Sequence, residues 1–302
     1  MIFTKTLTPK KTSNPKKINI LGDSALSLTI ANELQNIGHK INIICSPQTA
    51  DEYNATDFVF KDSRFLQHHR TNFSFSFEQK HSPDLLIIAS DIVALRQDLL
   101  LLSPAKLQKT MILNLSPCSP QSMLAEILGS TVTEARNHSL HWKNQNTISN
   151  SESGITLYLS PNTKDNQISI LQEILKNSKI EIEQPESFNL CHWEWIALRT
   201  LLMLCLYLKQ PIQSLHKDSY CRSQAENCLK EISYIANLNP QTINTSKIIN
   251  SIQNIPNNHS IIPLYGSKPY NTYAERLFNI IFQEVSLDKK RFPTLKTIFN
   301  NT

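Results

Sequence analysis

Glycine is scarce in this chain, with five residues in 302, where average usage would give about twenty. That excludes glycine-rich fibrous or low-complexity architectures and leaves the loops to Asn, Ser and Lys. No CxxC spacing links the cysteines at 45, 118, 191, 205, 221 and 228. A zinc ribbon, a disulfide framework and a paired redox motif are therefore not expected, and buried thiols in a reducing compartment are. No apolar run is long enough to span a bilayer, since the most apolar stretch, Ile196 to Leu208, is short and contains Arg199. The basic N-terminus, MIFTKTLTPKKTSNPKK, has no apolar core of signal-peptide length. Residues 1–16 read as a disordered extension and the protein as cytoplasmic. Aromatics are not interleaved with basic clusters, so neither nucleic acid nor membrane is an expected partner. The net charge of +5 and pI near 8.8 suit an anionic cofactor or acid substrate, and equally a solvated basic surface.

What the chain does contain is organised around Lys17 to Cys45, KINILGDSALSLTIANELQNIGHKINIIC. Ile18 to Leu21 reads as a buried parallel strand, Gly22 as a turn, and Ser24 to Leu34 as a helix with apolar residues at helical spacing. Gly38 is placed to stop that helix, and Ile41 to Cys45 is a second apolar strand. Strand, tight turn, helix and strand in this order form the βαβ unit that opens a dinucleotide-binding domain.

The phosphate fingerprint, three glycines in the pattern GxGxxG, is held here by Gly22, Ser24 and Ser27. Gly22 supplies the turn. Ser24 adds a side chain where a pyrophosphate approaches, together with a hydroxyl donor, and Ser27 is small enough for close helix packing. Asp23 puts a carboxylate near the expected pyrophosphate. Gly22, Asp23, Ser24, Ala25 and Leu26 are thus the expected cofactor turn, against the alternative of a Rossmann-like domain that no longer binds a dinucleotide. An acidic residue ending the second strand would bind the ribose of NAD. Ile44, Cys45, Ser46, Pro47 and Gln48 offer none, which leans towards NADP. Its 2′-phosphate would then meet Ser46, Gln48 or a residue from elsewhere.

Further along, Asp57 to Phe60, Phe73 to Phe77, Asp84 to Ala89, Met111 to Leu115, Ile155 to Leu159 and Ile180 to Ile182 read as strands. Ile92 to Leu102, Gln121 to Leu128 and Ile168 to Lys176 read as helices. The Asn- and Ser-rich stretch Asn144 to Ser153 reads as an exposed loop, and His68, His69, His138 and His141 as polar loop residues. From about Pro185 only helices are expected: His192 to Leu208, Ser223 to Leu238, Thr245 to Ile252, Thr272 to Gln283 and Pro293 to Phe299. The fold class is α/β: an N-terminal Rossmann-type doubly wound parallel sheet over 17–184, followed by an all-helical C-terminal domain over 185–302. The cleft between them is where a ligand is expected.

This order resembles the ketopantoate reductase (2-dehydropantoate 2-reductase) family within the 6-phosphogluconate-dehydrogenase-like group. The resemblance runs over almost the whole chain after Lys16 and rests on ILGDSALS, on ILNLSPCSPQSMLAEILG, and on the helical half with its closing RFPTLKTIF. It implies NADP-dependent reduction of ketopantoate to pantoate, or of a related branched 2-oxo acid, in pantothenate synthesis. It also places Asn114 at the family's active-site asparagine, which contacts cofactor and substrate, and Ser90 at a lysine that touches the cofactor. In HWEWIALRTLLML, Trp193 matches, while Trp195 falls on the catalytic lysine, Arg199 on one asparagine and Met203 on another. Near the C-terminus Tyr273 or Glu275 falls on a glutamate and Ser260 near a serine. Restoring the lysine, Trp195→Lys, is the direct test of a degraded reductase.

Reduction of a 2-oxo acid needs a hydride from the cofactor, a proton donor and a cation for the carboxylate. Arg199 could hold the acid, with an ion pair to Glu194 or Glu275 as the alternative. His192, Tyr273 and Lys209 are the candidate proton donors. The rival function is a catalytically inactive descendant that binds a nucleotide or a partner protein. No metal is implied. A small-molecule acid is the expected partner, and homodimerisation is left open.

Overall fold

The computed structural model describes residues 11–61, 66–68, 73–90, 94–116, 121–139, 141–144, 146–150, 154–236, 243, 248, 277, 281 and 292–300. Two elements start the chain as the sequence implies: β1 (Lys17–Leu21) and α1 (Ala25–Asn36), followed by β2 (Lys40–Ile44). Next come α2 (Pro47–Asn54), β3 (Val59–Lys61), β4 (Leu66–His68), β5 (Ser74–Ser76), β6 (Leu85–Ile88), α3 (Leu95–Leu99), β7 (Met111–Asn114) and α4 (Gln121–Leu128). The first half closes with β8 (Val132–Arg136), β9 (His141–Asn144), β10 (Thr147–Asn150), β11 (Ile155–Leu159), α5 (Asp165–Leu175) and β12 (Ile180–Glu183).

An eight-stranded sheet runs β12-β11-β8-β7-β6-β1-β2-β5. Its pairs are parallel except β11 with β8. β6 is apolar throughout and β1 is apolar at Ile18, Ile20 and Leu21, with Asn19 also buried, because helices and loops cover both faces, as a parallel sheet requires. From β1 the chain winds one way through β2 to β5, and from β6 it winds the other way through β7 to β8. The direction of winding therefore switches between β1 and β6, and the crevice beyond their C-terminal ends is the ligand position of such folds.

α1 begins where Ser24 caps it, the hydroxyl accepting from Ser27 N. A helix lying on one sheet should keep a polar outer face, yet Thr29 and Asn32 of α1 are buried with Leu28, Ile30, Ala31 and Leu34. The reason is a second, four-stranded sheet, β4-β3-β10-β9, whose β9 and β10 pack on α1 from the other side. Burial of each of these Leu and Ile side chains contributes about 1.5–3 kcal/mol. Tyr53, Phe58, Phe73 and Phe75 form an edge-to-face aromatic cluster at the join of α2, β3 and β5.

This second sheet corrects the reading of Asn144 to Ser153 as a loop. Thr147 to Ser149 pair with Val59 to Lys61, and Thr147 to Asn150 with Asn144 to His141. Within the 1–16 extension, Thr12 N donates to Ile37 O and Lys16 N to His39 Nδ1, so residues 11–16 lie along the domain. Helix α3 is shorter than the Ile92 to Leu102 reading.

The second half consists of helices. α6 (Phe188–Leu208) is its axis, followed by α7 (Ser214–Lys217), α8 (Ser219–Ile235) and, at the end, α9 (Pro293–Asn300). Ser187 caps α6, and Lys209 ends it in a left-handed conformation, φ 53°. Glu231 of α8 accepts from the first amides of α9, Thr294 N and Leu295 N, both at 2.9 Å, which caps one helix from another. The helices read at Thr245 to Ile252 and Thr272 to Gln283 lie largely outside the described residues, where Ile248, Leu277 and Ile281 are buried in this core. No described helix is long and apolar enough to cross a membrane.

Candidate active site at the junction of the two halves

The β1–α1 turn is built by the neighbouring strand end. Gly22 has φ +103° and donates from its amide to Ile44 O at 2.9 Å. A Cβ there would sit 2.5 Å from Ser90 Cα and 2.8 Å from Ser90 N. The tightness thus comes from Ser90, which is itself buried and donates to Leu21 O at 3.2 Å. Ser90, at the position where the resemblance places a cofactor-contacting lysine, thus bonds back to the strand before Gly22 and closes the turn.

Ser24 departs from expectation in the same way. Its hydroxyl lies 2.8 Å from the Ala89 carbonyl and that of Ser27 lies 3.1 Å from it, with 2.9 Å between the two hydroxyls. What remains for an anion are the first-turn amides of Ala25 and Leu26. These have no intrahelical acceptor, and both residues are half-buried at the rim. Ser46 caps α2, accepting from Thr49 N at 3.3 Å.

One cation absent from the sequence reading faces this rim. Lys143, carried in by β9, contacts the Tyr53 hydroxyl, lies 4.2 Å from that ring's centroid, and feels the charges of Asp23 and Glu52. Burial outweighs those acids and holds its pKa below the ordinary lysine value. Lys143 offsets the Asp23 carboxylate, so the turn, the α1 amides and this lysine together fit a dinucleotide pyrophosphate. Nothing in its own stretch of sequence marks it, because only pairing of the second sheet brings it to the turn.

At the end of β7, Asn114 is fully buried, its amide donating to Ser116 O and accepting from Ser116 N, each at 3.0 Å. The side chain shapes the strand end. α6, packed against β8 and β11, carries His192, Trp195 and Arg199 at helical spacing on one face. His192 Nδ1 accepts from Arg136 Nε of β8 at 3.2 Å, which leaves the ring proton on Nε2. Glu194 pairs with His138 at 3.6 Å, while His138 Nε2 donates to Cys191 O at 2.7 Å. The alternative in which Glu194 neutralises Arg199 is thereby removed. Arg199 lies over the Trp195 ring at 5.2 Å, and among the described residues its Nε has no hydrogen-bond partner. Lys209 is exposed at the far end of α6, about 15 Å along the axis from Arg199, and drops out as a proton donor. Tyr273, Glu275 and Ser260 lie outside the described residues.

His138 lies, half-buried, in the loop between β8 and β9, whereas His141 is a strand residue of β9. His141 is 5% exposed, and burial together with the Arg199 charge pushes its pKa down to about 3. A histidine that is neutral when folded and titrates near 6.5 when unfolded stabilises the fold fully above pH 6.5. That contribution is lost as pH falls from 6.5 towards 3, because the unfolded chain takes up the proton first. Urea unfolding between pH 7 and pH 5 should lose up to about 1.4 kcal/mol per pH unit from this group. His141→Gln should flatten the slope by that amount, and an unchanged slope would contradict the buried neutral ring.

Fold and site together define a class, a Rossmann sheet joined to a helical half with an arginine-bearing helix across the crevice. No protein-family model matches the sequence, and neither does any curated protein. Among solved structures, the chain has the fold of the 2-dehydropantoate 2-reductases. That of Geobacter metallireducens superposes with a TM-score of 0.72 at 14% identity, covering 94% of this chain and 99% of the other. A dimeric ketopantoate reductase of Staphylococcus aureus gives 0.69 at 17% identity, over 94% and 96%. D-mandelate dehydrogenase in complex with NADH gives 0.73 at 12%, over 94% and 98%.

Proposed function

We propose that the protein is an NADP-dependent reductase of a 2-oxo acid, with ketopantoate or a related branched acid as substrate and pantothenate synthesis as its setting. The observation that carries this reading is Arg199. A guanidinium stacked on Trp195, facing the crevice with no carboxylate partner among the described residues, needs an anion, and its fork of donors matches a carboxylate. The pyrophosphate of the cofactor would lie on the amides of Ala25 and Leu26, beside Gly22, with Lys143 as the cation for a phosphate. When bound, the cofactor supplies the hydride. His192, whose Nε2 carries the ring proton, is the favoured proton donor, and a cytoplasmic homodimer belongs to the same proposal.

The test is consumption of NADPH with ketopantoate and with 2-oxoisovalerate, alongside NADPH affinity from its fluorescence. Arg199→Leu should raise KM for the acid by about ten- to a hundred-fold, the worth of a charge-assisted hydrogen-bond pair. NADPH affinity should stay the same. An unmodified protein that binds no NADPH, or a variant with unaltered KM, would overturn the proposal.

A further inference from the structure

The strand β5 runs out into an aromatic ring that the core does not take. Along the stretch FSFSF, Phe73, Phe75 and Phe77 recur at the strand period. Phe73 and Phe75 are each 6% exposed and pack inward, Phe75 edge-on to Tyr53 of α2. Phe77, one position past the end of β5, is 50% exposed, and no other phenylalanine among the described residues is so open to solvent. Its backbone is pinned on both sides. Asn42 of β2 accepts from Ser74 Oγ at 2.8 Å and donates to Ser76 Oγ at 3.0 Å, and Ser76 Oγ donates on to Glu78 O at 3.0 Å. Gln79 is buried, and its side chain accepts from Ser103 N at 3.1 Å. A ring held half in water by bonds before and after it is a fixed apolar surface.

The sheet puts that surface beside the nucleotide turn. β5 lies parallel to β2 with Ser76 opposite Ile44, and Cys45 N donates to Ser76 O at 3.0 Å. Phe77 therefore stands next to Cys45 and Ser46, the residues that end β2, and Ile44 O is also the acceptor for the Gly22 amide. In a doubly wound sheet the adenosine ribose of a dinucleotide lies at the end of this second strand, and the adenine is joined directly to it. No carboxylate ends β2 to hold the ribose edge, so the face of the base is the handle that remains. A purine offers a π-face that any aromatic ring can stack. We propose that Phe77 is the platform on which the adenine of the dinucleotide stacks, a contact supplied by the strand next to β2 and not by β2 itself. This assignment rests on the nucleotide part of the reductase reading.

The experiment is calorimetric titration of the full chain with NADPH, with adenosine 2′,5′-bisphosphate, and with reduced nicotinamide mononucleotide, which has no adenine. Phe77→Ala should weaken NADPH and the bisphosphate by the same factor, about tenfold, the worth of stacking a base on an aromatic side chain. Mononucleotide binding should not change. Phe77→Trp should keep the parental affinities. Leu100→Ala, which removes an apolar side chain 83% exposed at the end of α3, is the control and should alter none of them. Because Phe77 is half in water, its replacement should move the melting temperature by no more than about 2 °C. Unaltered bisphosphate affinity in Phe77→Ala, an equal loss for the mononucleotide, or a loss that Phe77→Trp shares would overturn the proposal. Ketopantoate reduction by Phe77→Ala with a parental KM for NADPH would sink this assignment and leave the reductase reading standing. Bisphosphate binding that needs Phe77, in a protein that reduces no 2-oxo acid, would do the reverse. An unmodified protein that binds neither adenine nucleotide overturns both.

Discussion

Replacing Gly22 by valine is expected to unfold the Rossmann half, not merely to empty its nucleotide turn. At φ +103° a side chain is strained wherever there is room for it, at about 1–3 kcal/mol. Here there is no room, because the new Cβ would lie 2.5 Å from Ser90 Cα. Ser90 follows β6 by two residues, after Ala89, and β6 is the neighbour of β1 in the centre of the sheet, so Ser90 cannot yield without shifting the strand pair. Overpacking adds about 1–3 kcal/mol more for the first carbon, and valine brings two further methyls. Set against a total stability of about 5–15 kcal/mol, the loss is a large share. Thermal melting should fall by about 4–24 °C for Gly22→Ala, with Gly22→Val not recovered as a folded protein. An alanine variant that melts with the parent would show that the turn relaxes freely. Loss of NADPH binding in either variant is then no measure of a phosphate contact unless the fold is shown to be intact.

Trp195→Lys, the substitution that restores the family's lysine, should likewise destabilise the protein and should not rescue turnover. Trp195 is 6% exposed within the helical core and carries Arg199 on its ring. Truncating a buried tryptophan costs about 3–5 kcal/mol, and an ammonium placed there lies one helical turn from a guanidinium. A fall in melting temperature of about 6–20 °C is expected, with loss of near-ultraviolet dichroism from the helical half. Melting unchanged together with a gain in ketopantoate turnover is the outcome that would discredit this packing account. The resemblance implies a lysine at this position, while the core holds an indole that supports Arg199.

The parts of the fold legible in the sequence are those whose burial is decided locally. β1, β2, β6 and β7 are predominantly apolar runs, broken by Asn19 in β1 and Asn42 in β2, because both of their faces are covered, and α6 shows through a nearly unbroken apolar stretch. The second sheet could not be read this way. Its strands, such as HWKN and TISN, are short and mixed in polarity, and they become strands only by pairing with β3 from far earlier in the chain. α2 was equally hidden, as its sequence PQTADEYN carries little apolar signal beyond Ala50 and Tyr53. The same distinction divides the site. Arg199 stood out as the one cation in an apolar helix, and Gly22 as a rare glycine after a strand. His141 and Lys143 were invisible because both ride on β9, whose place against α1 no local pattern announces. Ser24 is read as a ligand contact because the sequence shows its hydroxyl but not the Ala89 carbonyl that takes it, and Ser90 only because the resemblance places a lysine there.

The enclosure of α1 between two sheets has a mechanical consequence. A helix gripped on both sides cannot slide or tilt by itself, so β9 and the ring of His141 travel with the Rossmann half as one piece. Arg199 belongs to the other body, which is joined in sequence by the short link 184–187 between β12 and α6. Any hinge motion of the two halves therefore turns on that link and strains the hydrogen bond from Arg136 of β8 to His192 of α6, which ties one half to the other.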